Sequence, residues 1–315
     1  MSEAPSSPFT AAVQALMDNV KRAGFPPMHT LPVQQARASY QMGVGATAPK
    51  PLPMARVEDF EIPGPVGPMR ARLWSATQAT QQPVLLYLHG GGFVIGGIET
   101  CESMCTVLAQ HSGGAVVAID YRLAPEHKFP AGLDDSFAAL QWLAAHGHTR
   151  GLDTRRIAVG GDSAGGTLAA STALMARDAG IPLVLQALFY PSVQLGMKTA
   201  SLLKYSANTL LSWDLMHWFE KNAQGGELRE RWHREPLHAP SHEGVAPAWI
   251  GLAECDPLTD EGHLYAERLR AAGVPVQLQQ WAGVIHDFLN LGRFLPEAAQ
   301  AHVALADALK QAYQR

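Results

Sequence analysis

From about Gln82 onward, the chain alternates short runs of β-branched or apolar residues with longer segments of helical periodicity. Such alternation is typical of consecutive βαβ units, in which crossover helices join parallel strands. The runs are almost continuously apolar, as expected for strands that helices cover on both faces. The sequence therefore predicts an α/β fold with a mostly parallel sheet, whose strands lie at 84–89, 115–120, 157–161, 183–190, 248–254 and 276–281.

Three regions lie outside this alternation. Before Gln82, the segments RVEDFEIPGP and MRARLWS predict two strands that form an antiparallel edge of the same sheet. Residues 1 to about 50 begin with a helical pattern and continue without strand character. Residues 195–225 contain a helical stretch rich in Trp, Met, Leu and Phe, which favours either ordinary core packing or a lid over an apolar pocket.

The composition restricts the function classes. Of the 315 residues, 47% are hydrophobic and 17% are charged, which is enough apolar material for one large core or two modest ones. The net charge of −4 carries no block of like charge, so we expect neither nucleic acid nor a membrane surface as partner. No run of 18 apolar residues and no secretion signal is recognisable. Small, uncharged molecules fit better.

The cysteines predict a reduced environment. Cys101, Cys105 and Cys255 are an odd and sparse set, typical of free thiols in a cytoplasmic protein rather than of a disulfide framework. Cys101 and Cys105 lie one helical turn apart, but no His or further Cys completes a zinc spacing. We therefore expect them to pack in a helix and predict no metal.

The segment IAVGGDSAGGTLAAS contains a candidate nucleophile. A predicted strand leads directly into Gly161-Asp162-Ser163-Ala164-Gly165 and then into a helix, which is the G-x-S-x-G elbow described for α/β-hydrolases in general. The sharp turn exposes Ser163. The helix that begins at Ala164 directs its N-terminal amides at the position where negative charge develops in acyl transfer.

A glycine loop follows the first parallel strand. In HGGGF, three consecutive glycines leave backbone N–H groups free to bind a substrate oxygen, so we assign Gly91, Gly92 and Ala164 as oxyanion donors. A phosphate-binding loop is the competing interpretation, but the Lys-Ser/Thr of a Walker motif and the G-x-G-x-x-G register are both missing. His89 precedes the nucleophile, so we expect it to hold the loop rather than act as the base.

The chain order Ser, Asp or Glu, His of this fold directs the search for the other two catalytic groups. Asp256 follows a predicted strand directly, where open α/β sheets place functional groups. His286 lies just after the last predicted strand. Asp260 is interpreted instead as a first-turn helix carboxylate, and His302 as a surface or packing residue of a helix.

These blocks together resemble the hormone-sensitive-lipase family of esterases, which includes the bacterial family IV carboxylesterases. The resemblance extends from about residue 84 to 290 and includes HGGGF (89–93), DYRLAPEHKFPA (120–131), GDSAGG (161–166), YP (190–191) and DPLTDEG (256–262). It implies an eight-stranded, mostly parallel sheet with helices on both faces and a helical cap. The cap is then formed by residues 1–50 and 195–225, and the catalytic domain by 51–194 and 226–315.

The resulting hypothesis is a carboxylesterase with Ser163 as nucleophile, His286 as general base and Asp256 as the orienting carboxylate, without a cofactor. We expect esters of short to medium acyl length, because bulky cap residues would close the pocket. Its candidate lining residues are Phe93, Asp162, Trp213, Met216 and Trp218.

The sequence leaves several alternatives open. An amidase, a peptidase or a specialised deacetylase would use the same groups, and a non-catalytic receptor on this architecture would lack the base. A lipase is disfavoured because no long apolar surface segment is evident. A homodimer through the last strand edge remains open. One departure from the family is Asp287, where His-Gly-Phe is common, and it places a carboxylate beside the base.

Overall fold

A computed structural model describes residues 7–227 and 229–314. Within these residues, eight strands form one sheet in the order β1-β2-β4-β3-β5-β6-β7-β8. The strands are β1 (Arg56–Pro63), β2 (Pro68–Ser75), β3 (Gln82–Leu88), β4 (Ala115–Ile119), β5 (Leu152–Asp162), β6 (Leu185–Phe189), β7 (Ala248–Cys255) and β8 (Val276–Ile285). The strand β2 pairs antiparallel with β1 and with β4, and the remaining pairs are parallel. The predicted α/β fold, including the antiparallel edge, is confirmed.

Helices cover both faces of the sheet. They are α1 (Ala11–Ala23), α2 (Val33–Thr47), α3 (Ile98–Ser112), α4 (Ala131–His146), α5 (Ala164–Asp178), α6 (Ala200–Tyr205), α7 (Trp213–Ala223), α8 (Thr259–Ala271) and α9 (Pro296–Ala312). One layer packs α4, α5 and α8 on the sheet, and the other packs α3 and α9. Each face thereby has its own core, because an apolar parallel sheet must be shielded from water on both sides. Among the described residues, no helix is long and apolar enough to cross a membrane.

The structure differs from the sequence expectation in several elements. The strand β5 begins at Leu152, five residues before the predicted start. The apolar pattern does not reveal this extension because the polar residues 153–156 follow Leu152, and in the structure Arg156 forms an ion pair with Asp153. The sequence pattern does not predict the helix α2, since its apolar positions are few and it contains two glycines. The segment 195–225 contains two helices, α6 and α7, and Ser212 caps the second through Leu215 N. The helix α6 has only six residues, which is too short for a helical repeat of apolar residues to be recognised in the sequence.

The N-terminal segment and the insertion after β6 lie together. The helix α7 packs on the single turn Met28–Thr30, and α6 packs on α8. The side chain of Arg234, between α7 and β7, pairs with Glu220 of α7 at 3.2 Å. Its guanidinium also lies 4.6 Å from the ring of Phe93, in the loop after β3. These contacts connect the two helical segments to the carboxyl edge of the sheet, where the candidate site lies.

The buried imidazole of His302, in α9, is expected to make the folded protein less stable as the pH falls. Its side chain is buried in the core, its Nε2 atom has no partner among the described residues, and burial lowers the pKa to about 4. The folded state thus holds the imidazole neutral while the unfolded chain binds a proton below about pH 6.5. The contribution of His302 to stability should therefore fall as the pH decreases from about 6.5 to about 4, by about 3 kcal/mol in total.

Urea unfolding of the wild type and of His302→Leu, at neutral pH and near pH 5, measures this contribution. We expect the free energy of unfolding to decline less in the variant, because no buried imidazole has to be charged. The exposed His111 offers a matched control, and His111→Leu should retain the pH dependence of the wild type. An equal decline in the wild type and in His302→Leu would refute the assignment.

Candidate active site

Ser163 lies on a strained turn between β5 and α5. Its backbone has φ 54° and ψ −119°, and residues other than glycine rarely adopt a positive φ. The amide of Ser163 donates to the carbonyl of Phe189, at the end of the neighbouring strand β6, over 2.9 Å. The side chain keeps partial solvent exposure, so a substrate can reach its hydroxyl.

A glycine allows this turn to approach the adjacent strand. A Cβ atom at Gly165 would overlap the carbonyl oxygen of Leu88, the last residue of β3. Because β3 and β5 are neighbours in the sheet, this close approach sets Ser163 beside the glycine loop that follows β3. The sequence elbow and the glycine loop, 70 residues apart in the chain, are therefore parts of one site.

The structure brings together the three residues selected as nucleophile, base and orienting carboxylate. The Nε2 atom of His286 lies 2.9 Å from the Ser163 hydroxyl, and its Nδ1 atom lies 2.6 Å from Asp256 Oδ2. This geometry fits the tautomer in which Nδ1–H donates to the carboxylate and Nε2 accepts from the hydroxyl. Asp256 follows β7 and is fully buried, and its second oxygen accepts from the Leu258 amide at 2.9 Å.

The surroundings of His286 increase the affinity of its imidazole for a proton. Burial alone would lower the pKa of His286, but the charge and the hydrogen bond of Asp256 outweigh it, and the pKa is raised above its usual value. An imidazole of this kind accepts a proton from a hydroxyl readily and retains it beside a buried carboxylate. The three side chains can therefore perform the proton transfers of acyl transfer.

The alternative carboxylate has a different partner. Asp260 lies in the first turn of α8, as predicted, and its Oδ2 atom accepts from the Ser201 amide at 2.8 Å. The Ser201 hydroxyl in turn donates to the carbonyl of Pro257 over 2.9 Å. Asp260 thus fixes α6 to the loop that carries Asp256.

The side chain of Asp162 supports the glycine loop by a hydrogen bond to its backbone. The Asp162 carboxylate accepts from the Gly90 amide at 3.0 Å and from the Tyr87 hydroxyl at 2.6 Å, and burial raises the pKa of Asp162. Within the described residues, the amides of Gly91 and Gly92 donate to no protein acceptor. The first amide of α5, that of Ala164, is likewise one of the unpaired amides of a helix N-terminus. These N–H groups remain available for a substrate oxygen.

His89 braces the same loop, as the sequence predicts. Its Nδ1 atom donates to the Gly90 carbonyl at 2.8 Å, and its ring stacks on Tyr121 at 4.2 Å between centroids. The Tyr121 hydroxyl donates to the His89 carbonyl over 2.8 Å. Burial lowers the pKa of His89, so this imidazole is neutral.

The candidate pocket residues occupy different environments. Phe93 is buried against Phe129, with ring centroids 5.4 Å apart. Trp213, in the first turn of α7, is 52% exposed, whereas Met216 and Trp218 of the same helix are partly buried. Asp162 lies beneath the glycine loop as described above.

Sequence reasoning missed Phe219. A Cβ atom at Gly92 would overlap the ring of Phe219, so this ring of α7 covers the glycine loop directly. The ring also packs on Trp218, with centroids 5.4 Å apart. Phe219 belongs to the stretch within residues 195–225 that is rich in Trp, Met, Leu and Phe, but helical spacing alone does not determine which of its rings faces the site.

The described residues contain no group of three or more His, Cys, Asp or Glu arranged to hold a metal ion. The three cysteines are buried and unpaired by disulfides. Cys101 and Cys105 lie in α3, in agreement with the packing role predicted for them.

The chain matches a family model and is similar in sequence to known ester hydrolases. Residues 85–290 match a family model described as the alpha/beta hydrolase fold. The ethyl acetate hydrolase of Pseudomonas putida is 35% identical over 316 residues, covering 97% of this chain and 98% of the relative. The esterase LipI of Mycobacterium tuberculosis is 40% identical over 256 residues, covering 79% of this chain and 80% of the relative.

Solved structures agree over almost the whole chain. The hyperthermophilic esterase of the archaeon Pyrobaculum calidifontis superposes with a TM-score of 0.89 at 38% identity, covering 96% of this chain and 98% of that chain. An ester hydrolase from the metagenome of Lake Arreo, solved with a bipyridine phosphonate derivative, superposes with a TM-score of 0.93 at 35% identity. That match covers 98% of this chain and 100% of the other.

Proposed function

Because this chain belongs to the hormone-sensitive-lipase family of α/β-hydrolases and is a carboxylesterase, we propose that Ser163, His286 and Asp256 cleave esters of short to medium acyl chains. The observation that carries the proposal is the unbroken line of hydrogen bonds from Asp256 through His286 to the Ser163 hydroxyl. The free amides of the glycine loop lie at the same edge of the sheet and complete the requirements of acyl transfer.

Acylation begins with the Ser163 oxygen attacking the ester carbonyl carbon while His286 Nε2 accepts the hydroxyl proton. The carbonyl oxygen becomes an oxyanion, which the amides of Gly91, Gly92 and Ala164 stabilise by hydrogen bonds. The intermediate then collapses, the bond to the alcohol oxygen breaks, and His286 donates its proton to the departing alcohol. An acyl group remains bonded to the oxygen of Ser163.

Deacylation repeats these steps with water as the nucleophile. His286 removes a proton from the water molecule as it attacks the acyl-enzyme, and then returns that proton to Ser163. The carboxylate of Asp256 holds the imidazole in the reactive tautomer and stabilises its positive charge in both steps. The products are a carboxylic acid and an alcohol, so the reaction consumes only the ester and one water molecule.

The cap supports a limit on acyl size. Phe219 covers Gly92, one of the proposed oxyanion donors, so its ring restricts the space beside the carbonyl that would be attacked. The ring of Trp218 packs on that of Phe219, with centroids 5.4 Å apart. We infer that Phe219, together with Met216 and Trp218, sets the upper length of the acyl chain.

Truncation of this ring should lengthen the accepted chain. For Phe219→Ala, we expect the ratio of kcat/KM for nitrophenyl octanoate to kcat/KM for nitrophenyl acetate to rise about tenfold. Removal of the ring opens space in which additional methylene groups of the longer acyl chain are buried. The measurement is a profile over nitrophenyl esters of increasing acyl length. His217→Ala, on the exposed side of the same helix, is the matched control and should keep the wild-type ratio. An unchanged profile in Phe219→Ala would exclude this ring as the determinant.

The same ester series tests the function itself. We expect turnover of the short esters with kcat well above that of the corresponding nitroanilides, because an amine is a poorer leaving group than an alcohol. Comparable rates on anilides would favour the amidase interpretation. Binding of esters without turnover would reject the catalytic assignment and favour a receptor.

A further inference from the structure

Asp287, directly after the catalytic histidine, occupies a position that suits glycine. Its backbone has φ 65° and ψ 15°, the left-handed conformation that glycine adopts at least cost and aspartate tolerates. An aspartate at this position therefore gives up some backbone preference, and its side-chain contacts indicate what it provides instead.

The Asp287 carboxylate joins two separate elements. The Tyr40 hydroxyl, from α2, donates to Oδ2 over 3.3 Å, and the side-chain amide of Asn290 donates to Oδ1 over 2.8 Å. The same amide lies 3.3 Å from the Tyr40 oxygen, so the three side chains form a closed triangle. The backbone amide of Asn290 also donates to the Asp287 carbonyl at 3.0 Å. This triangle connects α2 to the loop that carries His286.

The preceding turn of α2 binds the other side of the site. Arg37, three residues before Tyr40 and thus on the same face of the helix, donates to the carbonyls of Val94 at 2.8 Å and Ala124 at 2.9 Å. It also forms an ion pair with Glu126 at 2.7 Å. Val94 lies just after the glycine loop. One helix therefore contacts both the loop of the oxyanion donors and the loop of the base.

We propose that Asp287 is a positioning residue of the esterase, held by Tyr40 and Asn290, whose ionised carboxylate stabilises the imidazolium of His286 as the transition state forms. The proposal rests on the triad mechanism given above. It assigns to α2 the further role of holding the carboxylate in place, since Tyr40 donates to the oxygen that Asn290 leaves free.

The surroundings of Asp287 bring its ionisation close to neutral pH. Burial first, and then the charge of Asp162, raise the pKa of Asp287 to about 7, while His286, Asn290 and Tyr40 oppose this shift. Tyr190 also faces these groups, and burial raises the pKa of both tyrosines, so they stay protonated. Above about pH 7 the carboxylate adds a negative charge near the imidazolium, and below it this stabilisation is lost.

The test is the pH dependence of kcat and kcat/KM for a short nitrophenyl ester, from roughly pH 5 to 9. For Asp287→Asn, which keeps the size and one acceptor oxygen, we expect kcat to fall about threefold to tenfold with little change in KM. The acidic limb of kcat/KM should move to lower pH by roughly half a unit, because the imidazolium loses a neighbouring negative charge. A residue with only a structural role would not move this limb.

Two further variants separate the charge from the loop conformation. Asp287→Gly restores the residue best suited to the backbone, so the protein should fold and yet show the same displaced limb as Asp287→Asn. Tyr40→Phe removes one donor from the ionised carboxylate, and its kcat should approach the wild-type value only at higher pH. The double variant Tyr40→Phe/Asp287→Asn should behave like Asp287→Asn alone, because the hydroxyl would act only through the carboxylate.

The exposed Asp307 of α9 is the matched control, and Asp307→Asn should leave kcat and the pH profile unchanged. The proposal is overturned if Asp287→Asn and Asp287→Gly retain the wild-type acidic limb, whether or not their melting temperatures fall. Its failure is distinguishable from failure of the triad mechanism, in which the wild type itself would turn over no ester and Ser163→Ala would lose nothing.

Discussion

Replacement of Ser163 by alanine should lower kcat for a short ester by about 10⁶-fold if Ser163, His286 and Asp256 act as a unit, as the corresponding residues do in a convergent serine protease. The reason is that no other hydroxyl lies within hydrogen-bond reach of His286 Nε2 among the described residues, the Ser163 hydroxyl being 2.9 Å away. Without an oxygen to acylate, hydrolysis depends on direct attack by water. Stopped-flow and steady-state assays with a nitrophenyl ester should reveal neither a burst nor appreciable turnover.

The variant itself should fold normally. Alanine removes one oxygen from a partly exposed side chain, and the backbone bond from residue 163 to the Phe189 carbonyl stays intact. The same substitution at Ser206, at the end of α6, provides a control that should retain full activity. Near-native hydrolysis by a correctly folded Ser163→Ala protein would reject Ser163 as the nucleophile.

For Asp256→Asn, the expected loss in kcat is about 10⁴-fold with little change in KM, as in the corresponding variant of a convergent serine protease. The buried carboxylate accepts from His286 Nδ1 at 2.6 Å, and an amide at this place can donate to Nδ1 instead. The imidazole would then carry its proton on Nε2 and could not accept one from Ser163. The charge that stabilises the imidazolium would be lost as well.

Asp260→Asn separates this effect from a general disturbance of the loop. An asparagine oxygen at position 260 can still accept from the Ser201 amide, so the contact with α6 is kept and kcat should stay within a few-fold of the wild type. The titration of kcat/KM offers a second measurement, since Asp256→Asn removes the group that raises the pKa of His286. Equal losses in Asp256→Asn and Asp260→Asn would contradict the assignment of Asp256.

The helices α2, α6 and α7 contact three different loops of the site. In α2, Arg37 binds the carbonyl of Val94, just after the glycine loop, and Tyr40 binds Asp287 in the histidine loop. The helix α6 binds the Asp256 loop through Ser201, and α7 covers Gly92 with Phe219. A movement of these helices would therefore change the geometry of the proposed base, the proposed orienting carboxylate and the proposed oxyanion donors together.

The sequence alone determined the fold class and the three catalytic candidates. Alternation of apolar strands and amphipathic helices predicts a parallel sheet, and the carboxyl ends of its strands must meet at one edge. Ser163, Asp256 and His286 each follow a strand directly, so their convergence is a consequence of topology. The glycine loop was recognisable for the same reason, because it also follows a strand.

Only the tertiary structure decided which side chains from the surrounding helices reach this edge. Phe219 lies against Gly92, and Tyr40 lies against Asp287 across 247 residues of sequence. Helical spacing defines which residues share a face, but the partner of that face depends on how separate elements pack. The packing is set by shape and by the pairing of buried polar groups, which distant parts of the chain supply together.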